Sequence, residues 1–248
     1  MNLKLIACEI LYREICFTVA RALHRVDVEF LPKGLHDLGA QRMRSDIQAA
    51  IDRVPADHYE AILIGYGLCG NGLAGVQARS LPLVIPRVHD CIGLFFGDRR
   101  RYWEYFQDHP GTYFKTTGWI ERGTGLDQLG ERAVLSRHGF GVSRQELARR
   151  YGEDNAAYLA EVLSSYSRNY TRLAFIEMGV EPDDRFERTV AEEARERGLS
   201  FEKIHGSLRL FVKLVNGEWD PDEFLVVPPG HRIVARYDEA ILDVEPSS

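Results

Sequence analysis

A chain of 248 residues, 45% hydrophobic and 27% charged, has the size and composition of an ordinary globular protein with a substantial core, in one large domain or two small ones. A formal net charge of −6 gives no electrostatic argument for nucleic acid or an anionic membrane, and the basic runs Arg99-Arg100-Arg101 and Arg149-Arg150 lie near acids, as on a solvated helix surface. No apolar run reaches the roughly 18 residues of a membrane span, and four cysteines are too few for a disulfide scaffold, so reduced thiols in a cytoplasm are expected.

In chain order, residues 3–7 form a short apolar run, the pattern of a strand covered on both faces. The charges at Glu9, Arg13 and Glu14 follow at once, which argues for a first strand over a signal segment. Residues 10–24 carry apolar side chains at helical spacing. A second strand is expected at 28–31, ended by Pro32 and Gly34, and a helix over about 39–53, stopped by Pro55. A third strand, 61–65, runs into the glycine-rich segment 65–72. A short helix and a fourth strand, 83–85, follow. Strands alternating with helices predict an α/β fold, an open and mostly parallel sheet in an αβα sandwich built by right-handed crossovers.

Beyond Gly97 the pattern loosens. Residues 99–108 read as an aromatic helix, 110–119 as extended and turn-rich, and 126–167 as mostly helical. A strand at 171–177, a charged helix at 183–197 ended by Gly198, and strands at 201–204 and 224–227 restore the βαβ pattern, extending the first sheet or forming a second lobe. The expected arrangement is one α/β domain over 1–248, with the first half at 1–98, a largely helical insertion at 99–170 and a second half at 171–248.

Three cysteines, Cys8, Cys69 and Cys91, stand just past the carboxyl ends of expected strands, where an open α/β sheet binds ligands. Thiolates favour zinc, copper(I) and iron–sulfur clusters. Compact CxxC pairs are absent, so these three meet only if the fold gathers the strand ends. Three thiolates without a fourth would leave one coordination position open for substrate, as catalytic metal sites do. The plainer reading is that a free cysteine packs as a small hydrophobe, and Cys16, inside a helical pattern, is read that way.

Gly65-x-Gly67-x-x-Gly70 matches the spacing of a dinucleotide loop but follows the third strand, with no acidic residue at the required distance. Gly67 and Gly70 are therefore expected to let the backbone turn and approach a bound cluster or ligand. Asn71 either caps a following helix or contacts the ligand. In the segment 86–92, Asp90 is a plausible N-cap that places Cys91 in a first helical turn, where the dipole would lower its pKa. His89 is expected to ligate metal, move protons or satisfy a carbonyl. Arg87 would grip a substrate carboxylate or phosphate, or serve as a surface ion-pair partner. His36-Asp37 lies after the second strand, at the same edge. Tyr113 and Thr116-Thr117-Gly118-Trp119 suit a pocket wall, although Trp119 is as readily explained by packing. Glu177 could act as a general base if its strand joins the sheet.

The segments 34–37, 64–72, 86–92 and 110–119, with a further 224–230, make the chain resemble the uncharacterised DUF1638 family of bacterial and archaeal proteins. That resemblance implies no settled activity. The three dispersed cysteines are also similar in pattern to enzymes in which three thiolates hold a 4Fe-4S cluster with one free iron, among them certain desulfurases and dehydratases. The expected function is a metal- or iron–sulfur-dependent enzyme that binds a small molecule at a three-cysteine site, as Lewis acid or in sulfur or methyl-group chemistry. Zinc on the same thiols, or a non-catalytic metal or ligand carrier, are the alternatives. No sequence feature fixes the oligomeric state, and a homodimer is among the arrangements left open.

Overall fold

The computed structural model describes residues 1–33, 35, 39–122 and 170–247. The expected helical stretch 126–167 and the pair His36-Asp37 lie outside the described residues.

The first strand, β1 (Asn2–Cys8), has an almost wholly buried apolar run and sits inside a five-stranded sheet. It is followed by a 3-10 turn (Glu9–Leu11) and α1 (Tyr12–Val19), then β2 (Arg25–Leu31), α2 (Ala40–Asp52), β3 (Ala61–Gly65) and β4 (Leu83–Pro86). These four strands are parallel, in the order β2-β1-β3-β4. The chain steps from β1 outward to β2, then back across β1 to β3. Right-handed crossovers in opposite directions put α1 and α2 on opposite faces of the sheet. The expected α/β sandwich is therefore present. The helix expected between β3 and β4 is not, because residues 69–75 form turns.

The reversal of direction places the topological switch point between β1 and β3, and ligands of open α/β sheets bind outside the carboxyl ends of that pair. Gly65 makes the pair tight, since a Cβ there would lie 2.6 Å from Ala7 Cβ.

After β4 come α3 (Cys91–Phe96) and α4 (Arg99–Asp108), then β5 (Thr112–Lys115) and α5 (Thr117–Glu121), which resolve the extended stretch expected at 110–119. Of the late strands, only 224–227 extends the first sheet. β6 (Arg172–Glu177) lies between β5 and β7 (Ser200–His205) in a separate three-stranded parallel sheet, with α6 (Arg185–Glu196) as the crossover from β6 to β7. Then α7 (Arg209–Val215) leads to β8 (Phe224–Val227), which pairs antiparallel with β4, and to the hairpin β9 (His231–Ala235) and β10 (Leu242–Pro246).

Both sheets turn their carboxyl ends towards the same region. Past β5, a Cβ on Gly118 would lie 1.8 Å from the Ile10 carbonyl oxygen, so α5 rests directly on the 3-10 turn that follows Cys8. Past β7, the Ser207 amide donates to the Phe95 carbonyl of α3 at 2.8 Å. Arg13 of α1 and Glu121 of α5 form a two-pronged ion pair that ties the same seam. Among the described residues, no helix is long and apolar enough to cross a membrane.

Candidate thiolate site

Cys8 is the last residue of β1 and is buried. Cys69 lies four residues past β3, and Cys91 opens α3 just past β4. The loops that carry the last two are stitched together: the Leu68 amide donates to the Val88 carbonyl at 3.0 Å, and the Cys69 amide to the His89 carbonyl at 2.8 Å. Gly67 is what permits this. A Cβ there would stand 2.7–2.8 Å from three backbone atoms of Asp90. The contact this glycine makes here is loop on loop. Gly70 faces open space, at φ +60°.

The peptide bends sharply at this point. Cys69 has φ +45°, Gly70 +60° and Asn71 +68°, three left-handed residues in succession, two of them not glycine. Such strain persists only where the surroundings impose it, and it concentrates at functional sites. Asn71 is exposed and caps no helix. Its carbonyl accepts from the Ala74 amide at 3.1 Å.

The three thiols lie close enough to shape one another's ionisation. Burial pushes the Cys8 thiol up to about 12, the largest of several causes. Burial, Asp90 and Cys8 together push the Cys69 thiol up to about 12. Burial, then Cys69, Asp90 and Cys8, carry Cys91 well above the ordinary thiol range. This reverses the sign expected from helix position, because desolvation and neighbouring negative charge outweigh the dipole of a six-residue helix. Asp90 does cap that helix, its Oδ1 accepting from Ile92 and Gly93 at 3.0 and 3.2 Å and its Oδ2 from the Tyr102 hydroxyl at 3.1 Å. Among the described residues, no group of three or more His, Cys, Asp or Glu side chains is set to hold a metal ion. Of the three thiols, Cys8 is buried and Cys69 and Cys91 are half-buried.

Two further side chains belong to this region, and the sequence did not single them out. Tyr66, buried between Gly65 and Gly67, sets its hydroxyl against the Cys8 thiol, and burial together with the Cys8 and Cys69 thiols raises its pKa. Lys33, buried just past β2, lowers the Cys8 pKa by its charge and lies 4.6 Å over the Trp119 ring. The Glu9 carboxylate receives the Lys33 amide at 2.8 Å. The signal available in the sequence was position alone, since both follow strands that end at this edge.

The remaining expected residues are elsewhere or otherwise engaged. Arg87 donates from Nε to the Pro221 carbonyl at 2.8 Å and from Nη1 to the carbonyls of Ala240, at 2.9 Å, and Leu242. It holds the C-terminal segment in place. His89 is exposed, and its ring has no partner among the described residues. Tyr113 packs with Tyr170, ring centroids 5.3 Å apart, in the apolar cluster of the second sheet. Glu177 ends a strand of that second sheet, so the condition for its role as a base at the cysteine crevice is not met. It pairs with Lys203 at 3.2 Å and His205 at 2.9 Å. Cys16 is exposed on α1, not core as expected.

Comparison with curated proteins and with solved structures gave no match. A family model described as a protein of unknown function (DUF1638) matches residues 30–215, a span that includes the Cys69 and Cys91 loops and excludes Cys8 and the segment 224–230. With that span matched out of 248 residues, the chain belongs to the DUF1638 family.

Proposed function

We propose that Cys8, Cys69 and Cys91 hold a 4Fe-4S cluster with one iron left open, and that the protein is an enzyme binding a small substrate there. What supports this reading is that three thiols, one buried and two half-buried, follow three neighbouring parallel strands at one edge of the sheet, with Cys8 within electrostatic reach of Cys69 and both within reach of Cys91. Left to themselves the thiols stay protonated, and an iron–sulfur centre would supply the positive charge that favours their thiolates.

The two metal readings differ in the spacing they need. Tetrahedral zinc, with bonds of about 2.3 Å, needs its sulfurs roughly 3.8 Å apart. Thiolates that each bind a different iron of a cluster stand wider. The buried Tyr66 hydroxyl supports the reading too, since an O–H set against the Cys8 thiol is a donor that would favour its thiolate. Lys33 offsets part of the thiolate charge at Cys8. His89, exposed beside Asp90 and Cys91, is placed to carry protons to and from solvent. When bound, the cluster would act as Lewis acid or in sulfur chemistry at its open iron.

The test is iron and acid-labile sulfide content of the full chain purified without oxygen, with the absorbance spectrum near 400 nm. Four irons and four sulfides per chain, lost in each of Cys8→Ala, Cys69→Ala and Cys91→Ala but kept in Cys16→Ala, is the expected result. Zinc in place of iron would transfer the site to a zinc-thiolate enzyme or a carrier. Absence of any metal from anaerobic protein would end the proposal.

A further inference from the structure

A second feature lies at the outer side of the β4–α3 turn, where Arg87, Val88, the start of α4 and the segment leading into β8 enclose a cavity of about 300 Å³. No cysteine lines it. Some of its charges are already matched: Glu223 takes both Lys213 and Arg209, and Asp98 caps α4 with Oδ1 while its Oδ2 faces Arg209 at 3.6 Å. Four lining side chains are left over, one of them Asp220, which accepts only the Asp222 amide at 2.9 Å. Arg99, Arg100 and Asp222 make no ion pair and no side-chain hydrogen bond among the described residues.

The two arginines stand in the first helical turn of α4, where the helix dipole is positive and a cation is unfavourable. Their neighbour Arg87 adds a third guanidinium, whose pKa burial lowers, with Asp243 and Asp222 favouring its charge and Arg99 opposing it. Unmatched guanidiniums around a hollow are a fork-shaped receptor for a carboxylate. Asp222, in the same hollow, would repel a ligand carrying only negative charge and would accept an ammonium. Breaches of local electrostatic rules of this kind are expected where a ligand completes the balance.

We propose that this cavity binds a compact zwitterion, with its carboxylate on Arg99 and Arg100 and its ammonium on Asp222. The inference does not depend on the cysteine site. It is tested by isothermal titration of the full-length protein with the ω-amino acids from glycine to 6-aminohexanoate, with acetate and methylammonium as singly charged controls. At least one member of the series should bind saturably where both controls fail. Both Arg99→Ala/Arg100→Ala and Asp222→Asn should weaken that binding by about tenfold or more while leaving the melting temperature near that of the parent. No saturable heat from any member, equal binding of acetate, or unchanged affinity in the variants would each overturn the proposal.

Discussion

Gly67 meets Asp90 backbone to backbone, at a separation that leaves no room for a side chain: an added Cβ would lie 2.7 Å from Asp90 Cα and 2.8 Å from its nitrogen and carbonyl carbon. Backbone cannot swing aside as a flexible side-chain tip can. Gly67→Ala is therefore expected to force the Cys69 loop away from the Cys91 turn, at a cost of about 1–3 kcal/mol, the range for overpacking. The melting temperature should fall, and iron per chain should fall with it. Gly70→Ala separates packing from conformation, because nothing lies within 4 Å of that site and only its φ of +60° is strained. It should cost about 1 kcal/mol and leave the loops joined, so metal content should persist.

Alkylation kinetics should sort the four thiols of metal-free protein into two classes. Cys16 is exposed, whereas burial pushes Cys8 and Cys69 up to about 12 and drives Cys91 higher than its ordinary value. Only the thiolate reacts with iodoacetamide. One rapid label per chain near pH 8, assigned to Cys16 by peptide mass mapping, is the expected pattern. Rapid labelling at Cys69 or Cys91 would contradict the shielded arrangement.

Arg87 was legible as a substrate-gripping arginine only because it sits in a polar run beside a cysteine. Its three recorded acceptors are backbone carbonyls at residues 221, 240 and 242, far along the chain, and no local spacing could foretell them. Arg87→Ala should therefore act on stability, losing roughly 2–4 kcal/mol for hydrogen bonds made by a charged group. Arg87→Lys should rescue little, since an ammonium cannot span three carbonyls as the planar fork does. Parallel chemical denaturation of the two variants measures both effects.

The same contrast explains what the sequence carried and what it did not. Apolar runs and breakers located β1, β3, α2 and the switch-point cysteines, because buried parallel strands write themselves as continuous hydrophobic segments. Glu177 and Tyr113 misled because strand pattern does not say which sheet a strand joins; that depends on long-range pairing of β5, β6 and β7 with one another. The sign at Cys91 was hidden for a related reason. Position in a helix is local, whereas the desolvation and the charge of Cys69 and Cys8 come from other strands. Tyr66 escaped notice because a tyrosine between glycines has no pattern of its own until its hydroxyl is seen buried against the Cys8 thiol.

Glu14 provides the last test, one that concerns the seam between the sheets. Its carboxyl is fully buried on α1, neither oxygen has a hydrogen-bond partner, and burial with the nearby charges of Glu181 and Glu121 pushes its pKa up to about 7 against the partial relief given by Arg13. A carboxyl that holds its proton more tightly when folded stabilises the fold fully below its unfolded value of 4.5. That contribution is lost as pH rises through about 7, and above that the penalty for a buried charge is constant. A shift of this size corresponds to roughly 3 kcal/mol. Other carboxylates, such as Glu121, are held low by their ion pairs and have the opposite slope, so the informative quantity is the difference between parent and Glu14→Gln. The variant should gain stability relative to the parent between pH 5 and 8, by urea denaturation at each pH. A difference that does not change with pH would mean that Glu14 ionises normally and is reached by water.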